Sequence, residues 1–331
     1  MIKAAIVGLS GPVLTDAEAA LLRATTPAGI ILFARNIVDP PQLAALLRAL
    51  GEILPADSAY LVDQEGGRVA RLRPPYWRAH PPAGDIGLLY ARDPAAGLRA
   101  AWLTGALIGL DCAAAGFNVA CAPVLDRRLP HGHGVIGDRA YGEATDDVAV
   151  LARAAAAGIL AAGVQPVGKH VPGHGRALLD SHLALPVVQD NDLDADLLPF
   201  GRNRDLPWMM TAHIRYPLWD VEFPATLSKT IIATIVRGRI DYQGVLVSDD
   251  LAMQALSGSP ASRAVGALSA GCDIALYCPG DLAGTSDVLA AVPGLTAAAT
   301  ARLAQARALA SGRRLALDPA ILAAERKELM S

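Results

Sequence analysis

The chain has 331 residues, a formal net charge of −3, 53% hydrophobic residues and 18% charged residues. This composition is typical of a globular protein and excludes a largely disordered chain. The small net charge, without any basic run, argues against nucleic acid or an anionic membrane surface as a partner. Mean hydropathy is +0.33, but charged residues interrupt every apolar run before the roughly 18 residues that a membrane span needs. We therefore expect neither nucleic acid nor a membrane as a partner.

The first residues and the cysteines indicate a cytoplasmic protein. The chain opens MIKAAIVGLSGPVL, in which Gly11 and Pro12 end a short apolar run, so we expect a buried first strand rather than a signal peptide. The four cysteines have no C-x-x-C spacing, and we expect them to be reduced core residues. We expect no metal, no other cofactor and no disulfide framework. The cysteines are Cys112, Cys121, Cys272 and Cys278.

Short apolar, β-prone runs alternate with alanine- and leucine-rich helical segments, and no linker divides the chain. The runs predict eight strands, over Lys3–Val7, Gly29–Phe33, Tyr60–Val62, Asn118–Cys121, Gln165–Lys169, Trp208–Thr211, Val245–Ser248 and Ile274–Tyr277. The intervening patterns predict helices over Asp16–Ala24, Pro41–Leu50, Ala95–Ala115, Asp146–Ala162, Ser228–Arg237 and Ala261–Ala270. Thr15 with Glu18 predicts a capping box, and Asp39 before two prolines predicts a helix start. We expect closing helices over 297–331.

Apolar strands that alternate with helices predict a parallel sheet covered on both faces. About eight such units in one chain favour an α/β fold of the (β/α)8 TIM-barrel type, with residues 1–331 as a single domain. A doubly wound sheet is the alternative. It requires a phosphate-binding glycine fingerprint after an early strand, and the segment GLSGPV after the first strand does not match that fingerprint.

Ionisable residues follow several of the predicted strands, while the strands themselves are apolar. In a barrel, binding and catalytic side chains lie where the strands end, at the carboxyl-terminal rim. Together these residues predict a polar pocket at that rim, suited to a hydroxyl-rich or charged ligand. They are Asp63 and Arg71 after the third strand, Lys169 and His170 at the end of the fifth, His213 after the sixth, and Asp249 and Asp250 after the seventh.

The adjacent carboxylates Asp249 and Asp250 allow two interpretations. On an extended segment they point to opposite sides, so one can face the barrel axis while the other caps the following helix. Both can instead be capping or salt-bridging groups without a chemical role. The functional interpretation makes one of them a nucleophile or a metal ligand, and a metal site would need further carboxylates or imidazoles at the same point.

The segment from Lys169 to His182, KHVPGHGRALLDSH, holds three histidines around two glycines and a proline, and predicts a loop able to move. Asp180 stands two residues before His182, a spacing that allows a hydrogen bond that orients the ring and stabilises its protonated form. Such a pair can act as a general acid and then as a general base near neutral pH. A loop histidine with an acidic neighbour and no catalytic role is the alternative.

A second glycine-rich segment, GHGVIGDRAYG over 132–142, contains Arg139. The fixed donors of its guanidinium suit a carboxylate or adjacent sugar hydroxyls, and a solvated arginine without a role is the alternative. His131 and His133 have no third ligand nearby, which argues against a metal site there.

Taken in order along the chain, these segments resemble glycoside hydrolase family 3, in its short, single-barrel β-N-acetylhexosaminidase branch. The resemblance extends from GIILFARN at 29–36 to GCDIALYC at 271–278. Between these segments lie, in order, DQEGGRVARL, NVACAPVLD, IGDRAYG, KHVPGHG, DSHLALP, MTAHIRYP and SDDLAM. The (β/α)8 barrel of the family agrees with the fold expected from the pattern of strands and helices.

The resemblance assigns roles to matching positions. It implies that Asp249 is the nucleophile of a covalent glycosyl–enzyme intermediate, and that His182, paired with Asp180, is the general acid/base on a mobile loop. Glycosidases usually employ two carboxylates, and here an imidazole replaces one of them. The residues implied to bind a non-reducing N-acetylglucosamine are Asp63, Arg71, Arg139, Lys169, His170 and His213.

The family also implies a substrate and a reaction. The reaction is the retaining hydrolysis of a terminal β-linked N-acetylglucosamine from a small carbohydrate or muropeptide, and the implied source is 1,6-anhydro-N-acetylmuramoyl fragments during peptidoglycan recycling. Three alternatives stay open: phosphorolysis of the same intermediate, a β-glucosidase, and a catalytically silent sugar-binding barrel. The Asp180–His182 pair argues against the β-glucosidase.

Three sites depart from the family pattern. Val171 replaces the usual phenylalanine, Ala140 and Tyr141 replace a common Ser-Phe pair, and Ala252 replaces a frequent serine. None of these changes removes an ionisable group with an assigned role, so they bear on fine specificity rather than on the chemistry.

Overall fold

A computed structural model describes residues 1–331, and its centre is a closed barrel of eight parallel strands. The strands in chain order are β1 (Lys3–Val7), β2 (Pro27–Leu32), β3 (Ala59–Val62), β4 (Gln64–Gly66), β5 (Val69–Ala70), β6 (Val119–Ala120), β7 (Gln165–Val171), β8 (Trp208–Thr211), β9 (Val245–Asp250) and β10 (Ile274–Tyr277). Strands β4 and β5 form a separate antiparallel hairpin, and the other eight close the barrel. All eight predicted strands are present, so the (β/α)8 prediction is confirmed.

Helices follow the strands and cover the outside of the barrel. They are α1 (Asp16–Ala24), α2 (Pro40–Gly51), α3 (Ala83–Arg92), α4 (Pro94–Ala115), α5 (Thr145–Ala161), α6 (Asp194–Arg202), α7 (Pro260–Ala270), α8 (Leu282–Ala291), α9 (Ala297–Arg313) and α10 (Pro319–Leu329). Thr15 and Glu18 form the predicted capping box of α1, and Asp39 accepts from the Gln42 backbone N–H at the start of α2.

One predicted helix has a different geometry. The segment expected as an α-helix over Ser228–Arg237 is a π-helix over Ile231–Arg239. The Ile240 N–H donates to the Ile235 carbonyl at 2.8 Å, a bond that spans five residues rather than four. The β-branched run that begins with Ile231 and Ile232 is a weak α-helix former, which is consistent with the looser winding.

Strand side chains alternate between two apolar cores. Ile6 of β1 belongs to a cluster that fills the barrel, whereas its neighbours Ala5 and Val7 belong to the larger cluster between the strands and the helices. In β9, Val245 and Val247 likewise lie with the barrel cluster. This period of two decides which side chains face the barrel axis where each strand ends.

Helix α4 is the one helix that is long and apolar enough, by length and composition alone, to cross a membrane. Within the fold, 61% of its most apolar window is buried, and it packs mainly against α5. A Cβ on Gly105 would lie 2.0 Å from the Ala155 carbonyl oxygen, so glycine allows the two helices to approach closely. Core helices of globular proteins meet the same length and composition criteria.

Candidate active site

The alternation of strand side chains carries several ionisable residues onto the barrel axis. Asp63 continues the inward positions of β3, Lys169 those of β7, and Asp249 those of β9. These three residues line one cavity at the carboxyl ends of the strands, with a volume of about 210 Å³. The register of β7 shifts between Lys169 and Val171, and His170 lines the same cavity. The predicted polar pocket is therefore present at the predicted rim.

Five charged side chains in the cavity wall form what we call the ionic cluster, consisting of Asp63, Glu65, Arg71, Arg139 and Lys169. The Lys169 ammonium lies 3.0 Å from a carboxylate oxygen of Asp63 and 2.7 Å from one of Glu65. Arg139 donates to both oxygens of Glu65 at 2.8 Å, and Arg71 donates to Asp63 at 3.0 Å. The sequence-predicted residues of this cluster therefore share one hydrogen-bonded network.

The ionic cluster remains charged although it is largely buried. Burial acts to raise the pKa of Asp63, but the cations of Lys169 and Arg71 outweigh it and lower that pKa. Burial opposes ionisation of Glu65 too, and Arg139 and Lys169 hold its pKa far below the ordinary value. Burial disfavours the Lys169 ammonium, but Asp63 and Glu65 raise its pKa. Each charge thus keeps its partner ionised.

Asp249 and Asp250 point to different surroundings, as predicted. One Asp249 oxygen accepts from the Asp250 N–H at 2.8 Å, and the side chain faces the cavity. Burial acts to raise the pKa of Asp249, but the neighbouring His170 outweighs it, so the pKa lies below its ordinary value. Asp250 accepts from the N–H groups of Ala252 and Cys278 at 3.0 and 3.1 Å. It therefore stabilises the turn after β9.

Neither carboxylate caps the following helix, as one interpretation of the pair allowed. Helix α7 begins at Pro260, and the Ser259 side chain caps it by accepting from the Ser262 N–H. That helix begins ten positions after Asp250, and the intervening turn uses the Asp250 carboxylate instead.

His170 is oriented by Asp126, a buried carboxylate on the loop after β6. The His170 Nδ1 lies 2.7 Å from Asp126 Oδ2, and Asp126 also accepts from the backbone N–H groups of His170 and His174. Burial alone would raise the pKa of Asp126, but His170 lowers it, so the carboxylate is ionised. An ionised partner at Nδ1 fixes the ring orientation of His170 in the cavity wall.

Asp180 and His182 lie on the loop over residues 173–182, which we call the dyad loop. The His182 Nδ1 lies 2.7 Å from Asp180 Oδ1, and the His182 N–H donates to the same oxygen at 2.9 Å. Burial acts to raise the pKa of Asp180, but these two contacts lower it. His182 lines the cavity and its side chain is 62% exposed. The predicted pairing is present at the cavity mouth.

His213 lies beneath the cavity and is absent from its wall. It is fully buried, with Nδ1 2.8 Å from the Thr226 hydroxyl and Nε2 2.9 Å from the Asp250 carbonyl oxygen. Burial lowers its pKa, which favours the neutral ring. The expectation that His213 binds substrate directly does not match this position. Instead, His213 supports the end of β9, next to Asp249.

Glu65 has no role predicted from the sequence, although it joins Arg139 to Lys169 within the ionic cluster. The signal was the glycine pair after it, which is typical of a tight hairpin. Gly66 and Gly67 have φ angles of +106° and +53°, and a Cβ on Gly66 would lie 2.3 Å from the Pro81 carbonyl oxygen. Glycine therefore permits the hairpin that carries Glu65 toward Arg139.

Phe33 is a second cavity residue without an assigned role. Its ring lies 4.9 Å from the Arg35 guanidinium and 5.4 Å from that of Arg71, within the range of cation–π contacts. The alternation along β2, in which Ile31 faces the barrel, could have predicted its position. Phe33 gives the cavity an apolar surface beside the ionic cluster.

The whole arrangement offers several kinds of group to a ligand. The ionic cluster presents both donors and acceptors with opposite charges paired, which suits a neutral, hydroxyl-rich molecule better than an ion. Asp249 offers an ionised carboxylate, and His182 offers an imidazole held by an acid. These are the groups that displacement at a sugar carbon requires.

Comparisons with known proteins agree with this chemistry. The chain matches the glycosyl hydrolase family 3 N-terminal domain over residues 5–316. It is 40% identical to a β-hexosaminidase from Bordetella pertussis over 286 residues, which are 84% of this chain and 80% of that protein. A β-hexosaminidase from Xylella fastidiosa is 40% identical over 296 residues, 87% of each chain.

A solved structure also matches nearly the whole chain. It is NagZ from Neisseria gonorrhoeae in complex with N-trifluoroacetyl-D-glucosamine, with a TM-score of 0.79 and 30% identity over 93% of this chain and 98% of that one. The family match, the curated relatives and this structure agree with the barrel and with one another. The chain therefore belongs to glycosyl hydrolase family 3, and it is a glycoside hydrolase of the β-N-acetylhexosaminidase type.

Proposed function

We propose that this enzyme removes a terminal β-linked N-acetylglucosamine by two displacements through a covalent glycosyl–aspartate intermediate. The observation that carries the proposal is that an ionised Asp249 and the Asp180-paired His182 line one cavity. A retaining glycosidase needs both a nucleophile and a group that first donates and then accepts a proton.

In the first step, Asp249 attacks the anomeric carbon while protonated His182 donates its proton to the leaving oxygen. The bond from the sugar to the aglycone breaks, and a bond from the sugar to the Asp249 carboxylate forms. In the second step, neutral His182 accepts a proton from water, which attacks the anomeric carbon and releases Asp249. Two inversions retain the β configuration, and Asp180 stabilises the imidazolium in each cycle.

The ionic cluster supports a neutral sugar as the ligand. Asp63 and Glu65 can accept from sugar hydroxyls, while Lys169, Arg71 and Arg139 can donate to them, all from largely buried positions fixed by ion pairs. The cavity, at about 210 Å³, lies below the roughly 300–1,000 Å³ of sites for drug-sized ligands, so it suits a single sugar residue. The remainder of a substrate would lie outside, beside the dyad loop.

We further propose that the natural substrate is a 1,6-anhydro-N-acetylmuramoyl fragment and that the enzyme acts in the cytoplasm, in peptidoglycan recycling. The support is the resemblance to the short branch of the family, together with a cavity that encloses the sugar and leaves a large aglycone in solvent. Purified anhydromuropeptides tested beside chitobiose would separate this substrate from a chitin-like source. Preferential cleavage of chitobiose would contradict the proposal.

The reaction is tested with p-nitrophenyl β-N-acetylglucosaminide and p-nitrophenyl β-glucoside, each with and without phosphate. We expect turnover of the acetylated substrate alone and release of free sugar in both buffers. Release of a sugar 1-phosphate would assign phosphorolysis instead. Intact-mass analysis after a fluorinated N-acetylglucosaminyl donor tests the intermediate: one sugar bound to wild type and none to Asp249→Asn supports it. No turnover by folded protein would contradict the proposal.

A further inference from the structure

Ser181, the residue between Asp180 and His182, is buried in the wall of the cavity that His182 also lines. It is 2% exposed, and its hydroxyl oxygen lies 3.1 Å from Nε2 of His174, which is 3% exposed. Asp180 and His182 bond to each other, so their own contact leaves the position of the pair undetermined. The Ser181–His174 bond is the buried side-chain contact that joins this pair to the first residues of the loop, just after β7.

His174 is itself held firmly. Its backbone N–H donates to Asp126 at 2.6 Å, and its ring packs edge-on against His170 with the centroids 5.6 Å apart. Asp126 also holds the His170 ring. His174, which holds Ser181, is therefore attached to the strand end that carries Lys169 and His170. The position of the dyad loop depends on the part of the cavity wall proposed to bind the sugar.

Earlier in the dyad loop, Arg176 donates to Asp196 and Asp190 at 2.7 and 2.6 Å, whereas the other contacts near the Asp180–His182 pair involve backbone groups. The Ala255 N–H donates to the Ser181 carbonyl at 3.3 Å, and the Gln254 N–H donates to the His182 carbonyl at 3.4 Å. The His133 N–H donates to the Ala177 carbonyl at 2.7 Å, further from the pair. The two bonds nearest the pair are long, which leaves the Ser181 hydroxyl as its main specific anchor.

The protonation state of His174 suits a residue that holds Ser181 in one position. Burial, and then the neighbouring His170, lower the pKa of His174 to about 4, so the ring is neutral across the physiological range. Its Nδ1 is buried without a hydrogen-bond partner. A neutral ring with Nε2–H donating to Ser181 leaves Nδ1 as an unpaired acceptor, which costs less than burying an unpaired N–H.

We infer that Ser181 and His174 are positioning residues that set the location of the His182 imidazole over the bound sugar. The inference rests on the proposed role of His182 as the proton donor. Without the Ser181 hydroxyl, the dyad loop would sample positions in which His182 cannot reach the leaving oxygen. Sugar binding by the ionic cluster would be unaffected, because none of its contacts involves this loop.

The test compares Ser181→Ala with wild type on two substrates. Methyl β-N-acetylglucosaminide has a poor leaving group that needs a proton, whereas p-nitrophenolate leaves with little assistance. We expect kcat on the methyl glycoside to fall about tenfold while kcat on the p-nitrophenyl glycoside stays within about threefold. We expect KM to stay within about twofold for both substrates, because sugar binding is separate.

Two further variants separate positioning from a general structural effect. Ser181→Thr keeps the hydroxyl and should restore most of the lost rate. His174→Phe keeps the ring shape without nitrogen, and its effect should not add to that of Ser181→Ala in a double-mutant cycle. Ser228→Ala is the matched control, since Ser228 is equally buried and bonds Asp220 outside the cavity wall. It should show no leaving-group dependence.

The outcomes distinguish this inference from the proposed function. If His182→Ala shows leaving-group dependence and Ser181→Ala does not, the inference is wrong while the acid/base role stands. If His182→Ala shows no such dependence, the acid/base role itself is wrong. Equal losses on both substrates for Ser181→Ala, or additive effects in the cycle, would also overturn the inference.

Discussion

The ionic cluster and the dyad loop surround the same cavity but are held in opposite ways. The cluster consists of buried charges joined by several short ion pairs, and its members sit on strand ends and on a hairpin. The dyad loop carries an exposed His182, and its Asp180–His182 pair is attached through one buried side-chain hydrogen bond, from Ser181 to His174, and two long backbone contacts. The part that holds the sugar is preorganised, while the part that moves a proton can shift.

The largest effect is expected at the proposed nucleophile, Asp249, which lies on a strand end beside the ionic cluster. Asp249→Asn should lower kcat/KM by about four orders of magnitude, since an amide oxygen is a poor nucleophile. The control is Asp250→Asn, whose amide oxygen can still accept from Ala252 and Cys278. Steady-state kinetics on the p-nitrophenyl substrate measure both, and a loss at Asp250 equal to that at Asp249 would exchange their roles.

The second-largest effect on the rate is expected at His182, on the dyad loop. His182→Ala should lower kcat by about 10²- to 10⁴-fold on a poor leaving group, because protonation of the leaving oxygen is lost. The loss on p-nitrophenyl substrate should be much smaller, and added azide should accelerate the second step. A similar loss on both substrates would assign His182 to binding instead of proton transfer.

A third prediction compares the two regions in stability. Glu65→Gln leaves Arg139 buried without its bidentate partner and should cost about 3–5 kcal/mol of unfolding free energy. Asp180→Asn breaks a pair whose histidine is exposed and should cost below about 1 kcal/mol. Urea unfolding at pH 7 measures both. Equal losses of unfolding free energy for the two variants would mean that the ion pairs of the ionic cluster stabilise the fold no more than the Asp180–His182 pair does.

The last prediction concerns the pH dependence of the unfolding free energy that arises from His174. The pKa of His174 is about 4 in the fold, against 6.5 for an ordinary histidine. Between these pH values only the unfolded chain binds the proton, so unfolding free energy falls as the pH drops from 6.5 to 4. The contribution is at most on the order of 3 kcal/mol. Urea unfolding of His174→Phe across this range should show a correspondingly shallower pH slope, and an unchanged slope would contradict the lowered pKa.

The barrel could be predicted because its strands and most helices are regular. Lys3–Val7, Trp208–Thr211 and Ile274–Tyr277 were predicted at their observed bounds. Helices α3 and α6 were not predicted, since neither has a side-chain cap and α6 contains Pro199. Helix α8 was missed as well, although Asp281 caps it, because its apolar residues show little helical periodicity.

Individual residues of the candidate site could be predicted from the sequence, but the contacts between them could not. Asp63, Lys169 and Asp249 follow apolar strands, and that position alone brings them to one rim. The sequence has no pattern that pairs Glu65 with Arg139, residues 74 positions apart, or that attaches Ser181 to His174. The same limit explains His213, which follows a strand like the others but is directed under β9.

The sequence by itself therefore determined the order of strands and helices and the residue types at the rim. These features are local, because they depend on periodicity, capping and strand length. Only the tertiary structure decided which carboxylate meets which cation, which aspartate stays free to face the sugar, and what holds the acid/base in place. Those choices depend on contacts between segments that are far apart in the chain and are brought together only when the barrel closes.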